Sequence, residues 1–284
     1  MKVTAAATTL AFLLLAPSAS GAGDPGIAAL QVGLRQHGFY RGTIDGTLGP
    51  GTADGVRRLQ RRKGLAVDGV PGAATRRALG KFGRHDRLGA RTLASGSRGW
   101  DVAALQFDLA WHGFPSGRFD GAFGASTDRA LRNFQQWTGL SVDGVAGAGV
   151  FAALRRPLPR CPISLAPPLG GPIAEGFGPR GIRFHSGVDY PAAIGTPVAA
   201  AAAGRVSFAG WSPGGWGRLV TVNHSNGTRT MYAHLSRVTV RVGQWVEPGQ
   251  RVGRVGASGR ASGPHLHFEV RLRGAAVDPL SGLL

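Results

Sequence analysis

The chain carries a single cysteine, Cys161, in 284 residues. No intramolecular disulfide can form, so stability must come from packing or from a bound metal. Carboxylates are also scarce: 15 Asp and Glu stand against 33 Lys and Arg, for a net charge of +18 carried almost wholly by arginine. That balance favours anionic partners without choosing among them. Past the N-terminal segment no apolar run is long enough to cross a bilayer. Two hydrolase signatures are missing as well, the HExxH of one metalloprotease class and the Gly-x-Ser-x-Gly of a nucleophile elbow. Any hydrolytic chemistry must use another donor set.

The first segment, "MKVTAAATTLAFLLLAPSAS", joins Lys2 to an apolar run from Ala5 to Ala16, followed by small residues from Ser18 to Ala22. It reads as a secretory signal peptide over 1–22, too short for a comfortable membrane span, with an uncleaved anchor as the other reading, and is set aside from the fold. After its cleavage no membrane association is expected. Cys161 stands in a Pro-rich stretch and is assigned no function.

An internal repeat fills the first half. "LQVGLRQHGFYRGTIDGTLGPGT" at 30–52 aligns without a gap on "LQFDLAWHGFPSGRFDGAFGAST" at 105–127, 75 residues further on. "LQRRKGLAVDGVPG" at 59–72 aligns in the same register on "FQQWTGLSVDGVAG" at 134–147. Ile27, Leu30 and Leu34, then Val102, Leu105 and Leu109, recur at helical spacing, as do Val56 with Leu59 and Ala130 and Leu131 with Phe134. Each copy, 25–80 and 98–155 with a linker at 81–97, is expected to be a three-helix unit. Gly38 and Gly113 stop the first helices, which makes His37 and His112 helix-end residues. Asp-Gly pairs at 45, 68, 120 and 143 mark turns, and no loop alternates carboxylates as a calcium site does. The cluster "RRLQRRK" at 57–63 reads as a solvated helix face.

Residues 156–170 form a Pro-rich linker of semi-extended character. After it the pattern changes to short β runs broken by glycine, which predicts a mostly antiparallel β domain over 171–284. Five of the eight histidines fall there. In "GPHLHFEV" at 263–270, strand alternation puts His265, His267 and Glu269 on one face and Leu266, Phe268 and Val270 on the other. His185 and Asp189 in "HSGVD" and His234 in "YAHL" join them as candidates, and His224 reads as structural. Imidazoles with a carboxylate suit one Zn²⁺ that keeps an open position. His265 and His267 lie roughly 7 Å apart along a strand, and strand geometry lets both reach one ion. Glu269 could orient a histidine, or be a plain surface carboxylate.

Two resemblances sharpen this reading. The repeated L-Q-x(6)-G-(F/Y), D-G-x-(F/L)-G-x-x-T and (F/L)-Q resemble the small helical peptidoglycan-binding domain found in tandem on bacterial wall hydrolases. The ordered set H-x-x-x-D, Y-A-H-L and G-P-H-L-H-F-E resembles the lysostaphin-like (LytM-type) zinc metallopeptidases, as do "GTPVAAAAAGRV" and an expected hairpin in "VGQWVEPGQRVG" at 242–253. Carried over residue by residue, that resemblance implies His185, Asp189 and His267 as zinc ligands and His234 and His265 as catalytic histidines. Relatives often carry a Tyr upstream of the first ligand, which "FGPRGIRFH" lacks. Where many have Gly-Gly-Tyr-Gly-Asn, this chain has "GGWGR", placing Trp216 and Arg218 at the cleft rim.

The expected protein is multidomain, two small all-α repeats followed by a mostly antiparallel all-β peptidase domain. The resemblances imply a secreted zinc endopeptidase facing the cell wall or periplasm, cutting peptidoglycan stem peptides or cross-bridges. Peptidoglycan is the expected partner, with anionic wall polymers as a further one. The alternative is a catalytically silent regulator of another wall hydrolase, which typically loses a ligand. Nucleic acid is not expected, because arginine is spread over both halves rather than gathered in one stripe.

Overall fold

The computed structural model describes residues 22–84 and 87–283. The signal peptide expected at 1–22 lies outside the described residues except for Ala22. Among the described residues of the first half there are six α-helices: α1 (Pro25–Gln36), α2 (Pro50–Arg62), α3 (Ala73–Ala78), α4 (Trp100–Trp111), α5 (Ala125–Thr138) and α6 (Ala148–Leu154). They form the two expected three-helix repeats. Asp24 caps α1 by accepting the Ile27 N–H at 2.9 Å, with Pro25 in the first turn where a missing N–H costs nothing. His37 and His112 are the C-cap residues of α1 and α4.

The recurring Gln and Asp-Gly have one structural explanation. Gln31 donates to Asp45 Oδ1, Thr47 O and Thr52 Oγ1, while its own oxygen accepts the Gly46 N–H. Gln106 repeats the pattern on Asp120, Ala122, Thr127 and Gly121. In the second helices, Gln60 and Gln135 do the same around Asp68 and Asp143. Each aspartate also accepts an N–H two residues on, so all four are turn formers.

α4 is buried on two sides. Val102, Leu105 and Leu109 enter the core of the second repeat, while Ala103, Ala104, Phe107 and Ala110 enter a core shared with Ala28, Ala29 and Val32 of α1. The alanines let the two helices approach closely, so the repeats pack on one another instead of hanging as separate beads. Phe184 of the β domain belongs to that same shared core.

Twelve strands follow: β1 (Gly178–Arg180), β2 (Arg183–His185), β3 (Val188–Pro191), β4 (Pro197–Ala199), β5 (Gly204–Ser212), β6 (Gly217–Asn223), β7 (Thr228–Leu235), β8 (Arg237–Val238), β9 (Trp245–Val246), β10 (Arg251–Arg254), β11 (His265–Leu272) and β12 (Ala275–Val277). The main sheet runs β12-β11-β7-β6-β5-β9, with β3 on the free edge of the His265 end of β11. A second sheet runs β4-β10-β8, and β1 and β2 form a hairpin of their own. Every one of these strand pairs is antiparallel. The hairpin expected at 242–253 does not form. β9 pairs with β5 and β10 with β4 and β8, so the turn at Glu247–Gln250 hands the chain from one sheet to the other and buries Val246 and Val252 between them.

The Pro-rich stretch is extended and packed along the β domain. Leu165 and Leu169 enter its core with Cys161, and backbone bonds tie Leu165 to Gly282 and Ala166 to Ala201. Burial raises the Cys161 thiol pKa, so the side chain behaves as a small buried apolar group. No helix among the described residues is long and apolar enough to cross a membrane.

Candidate metal centre

The site is assembled by strand register. Across the β3–β11 pair, Asp189 stands directly opposite His267, while His265 stands opposite Pro191. His185 ends β2, and a bend at Gly187 carries the chain on to Asp189, four residues later. A Cβ on Gly187 would meet the Phe268 carbonyl oxygen at 2.3 Å, so only glycine lets the chain pass this close to β11. The other face of β11 anchors it: Leu266, Phe268 and Val270 are fully buried in the domain core.

Three ligand atoms converge. His185 Nε2 lies 3.0 Å from His267 Nδ1 and 3.2 Å from Asp189 Oδ1, and His267 Nδ1 lies 2.7 Å from the same oxygen. The remaining ring nitrogens are engaged elsewhere. His185 Nδ1 donates to the Gly176 carbonyl at 2.8 Å, and His267 Nε2 donates to Glu269 Oε1 at 3.2 Å. A carbonyl or carboxylate can only accept, so these bonds fix the protons on the outer nitrogens and turn the inner ones toward Asp189. The donor set of two imidazoles and one carboxylate, all buried, fits a zinc ion.

The electrostatics ask for positive charge at this point. Burial opposes ionisation of Asp189, but its hydrogen bonds to His185 and His267 outweigh it and hold the carboxyl well below its usual range. Burial likewise disfavours charge on His267, yet Asp189 and Glu269 push its pKa up to about 9. Glu269 is fully buried and, through Arg271 and His267, is lowered to about 2 despite that burial. It accepts from Ser186 and Arg271 as well as from His267.

His234 and His265 stand beside this set without joining it. Their rings lie 4.8 Å apart, and His265 Nε2 is 3.9 Å from Asp189 Oδ1. His234 Nδ1 donates to Ser258 O and His265 Nδ1 to Gly263 O, which leaves both Nε2 atoms free to accept a proton. Burial lowers the His234 pKa, with the neighbouring histidines adding to the effect. His234 also holds φ of 61°, a conformation a histidine adopts at a cost and one that clusters at functional sites.

All five residues line an open cleft of about 880 Å³. Trp216 lines it, as expected, and Arg218 does not: its backbone N–H is tied to Ser258 instead. The arginines that do line it are Arg180, Arg183 and Arg260. Arg180 pairs with Glu175 and reaches Asp189 Oδ2 at 3.5 Å. In a chain this rich in arginine, nothing in the sequence marked these three out. His224, expected to be structural, bonds Ala203 O and Thr230 Oγ1 away from the cleft.

Comparison with known proteins agrees with this geometry. Residues 183–279 match peptidase family M23, and residues 23–79 and 98–154 match the putative peptidoglycan binding domain. The chain is 48% identical over 99 residues to the DD-carboxypeptidase/endopeptidase Mpg of Neisseria meningitidis, covering 35% of this chain and 23% of that protein. It is 42% identical over 115 residues to the peptidoglycan DD-endopeptidase ShyA of Vibrio cholerae, covering 38% and 26%. Against the catalytic domain of lysostaphin from Staphylococcus simulans it is 37% identical, covering 38% of this chain and 89% of that one with a TM-score of 0.37. The chain thus spans about a quarter of the length of these two curated relatives. By its β domain it belongs to peptidase family M23, and by its helical half it carries two peptidoglycan-binding repeats.

Proposed function

We propose that this protein is a secreted zinc endopeptidase that hydrolyses peptide bonds in peptidoglycan stem peptides or cross-bridges. The observation that carries the reading is the inward aim of three ligand atoms, His185 Nε2, Asp189 Oδ1 and His267 Nδ1, beside two histidines with free Nε2 atoms. Zinc held by those three side chains supplies Lewis acidity toward a water molecule and a scissile carbonyl.

The chain's own residues do the rest. Of His265 and His234, one takes the proton of the attacking water, and the other hydrogen-bonds the developing oxyanion or protonates the leaving amine. Burial lowers the His234 pKa and so favours the neutral ring, whose Nε2 can accept the water's proton, whereas the oxyanion or leaving-amine role needs a proton on Nε2. Glu269 holds His267 with Nδ1 facing inward, and Arg271 balances the buried carboxylate. The repeats raise the local concentration of wall substrate, and the basic surface favours anionic wall polymers as well. Export through the segment 1–22 would deliver the protein to that substrate.

Digestion of purified walls of differing cross-bridge type, with identification of the new amino termini, tests the proposal. New termini that vanish with a chelator and return with zinc support it. Walls left intact by the zinc-loaded protein would refute it.

A further inference from the structure

The hairpin β1–β2, which delivers His185, is gripped by both repeats. At its tip, Gly181 O accepts the Ile44 N–H and Ile182 O accepts the Phe119 N–H, each at 2.8 Å. Ile44 and Phe119 are equivalent positions of the two repeats, 75 residues apart. The pseudo-symmetric pair therefore offers the same amide twice, to two successive carbonyls of one turn. Gly181 holds φ of 60°, which lets the tip turn between them.

The base of the hairpin is gripped by one side chain. Trp111, at the end of α4, packs edge-on against Phe184 at 5.3 Å and against Phe177 at 6.1 Å, and the two phenylalanines meet at 4.9 Å. Phe184 immediately precedes His185. Phe177 immediately follows Gly176, whose carbonyl accepts the His185 Nδ1 proton. Both features that set the aim of His185, its backbone and its hydrogen-bond acceptor, thus have neighbours seated on the same indole.

We propose that the tandem repeats are part of the metal centre's support, with Trp111 a positioning residue that holds His185 toward the ion. The inference rests on the reading of His185 as a metal ligand. The indole holds through its ring contacts and not through a hydrogen bond, since the buried Trp111 N–H has no hydrogen-bond partner among the described residues. A phenyl ring can therefore replace it. Loss of a partner that orients a ligand typically lowers metal affinity by about 10- to 100-fold.

The test uses the full chain as wild type, W111A, W111F, F177L and H185A, each checked for a cooperative thermal transition. Zinc affinity is measured by chelator competition, and the visible spectrum of the cobalt-substituted protein reports ligand geometry independently of activity. W111A should bind zinc about tenfold or more weakly with an altered cobalt spectrum, and W111F should recover most of the affinity. A folded W111A with wild-type affinity and spectrum overturns the proposal. If W111A loses its transition, F177L decides by the same two readouts, since leucine keeps the apolar contact and loses the ring that touches both Trp111 and Phe184. If H185A binds zinc as the wild type does, the ligand reading itself has failed and the support has no ligand to position. If H185A is metal-free while W111A and F177L match wild type, only the support is refuted.

Discussion

His267 and Glu269, two residues apart on one strand, are joined at 3.2 Å through His267 Nε2, and this bond leaves Nδ1 facing Asp189 and His185. Removing the acceptor should therefore act on the metal before it acts on catalysis. Glu269→Ala leaves the donors of His267, Ser186 and Arg271 without their shared partner and should weaken zinc binding by about 10- to 100-fold. Glu269→Gln keeps an oxygen for Nε2 and should fall between. Chelator competition on both variants checks the order.

Gln106 holds the Asp120–Gly121 turn of the second repeat with five hydrogen bonds. Gln106→Ala strands the buried Gly121 N–H and the hydroxyl of Thr127. The expected loss is about 1–3 kcal/mol for each buried group left unpaired. Thermal or urea unfolding of the full chain, followed by a signal from the helical half, reads it.

Asp108, on α4 near Asp24, has its pKa raised to about 7, first by burial and then by that carboxylate. Between its ordinary value of 3.8 and about 7 the unfolded chain has released this proton and the folded chain has kept it, so stability falls as pH rises through that window. Asp108→Asn should remove this component of the pH dependence, and should be more stable than wild type at pH 8 while differing least at pH 4. Melting temperatures across that range check it.

Much of this was legible in the sequence because it is local or periodic. The helix-stopping glycines, the Asp-Gly turns and the alternation of "HLHFEV" each depend on residues close in the chain, and the 75-residue offset is a direct repetition of the sequence. What was not legible depends on partners far apart. Strand geometry alone left His265 and His267 equally able to reach an ion. The structure separates them by register, since β3 places Asp189 opposite one and Pro191 opposite the other. The expected hairpin at 242–253 failed because turn signals say where a chain bends and not which sheet receives it. Trp111 stands far in the sequence from Phe177 and Phe184, with no motif that links them. Their meeting, like the packing of Leu165 and Leu169 from the Pro-rich stretch, exists only in the folded chain.

The central claim is that His185, Asp189 and His267 hold the metal while His265 works beside it. Zinc content and wall-peptide cleavage, measured side by side on His265→Ala and His267→Ala, test it most directly. His267→Ala should lose zinc and activity together. His265→Ala should retain most of its zinc, melt cooperatively, and cleave about 10²- to 10⁴-fold more slowly, the usual cost of losing a positioned acid or base. A His265→Ala variant as free of metal as His267→Ala would contradict the account, making both histidines ligands and leaving His234 as the remaining base.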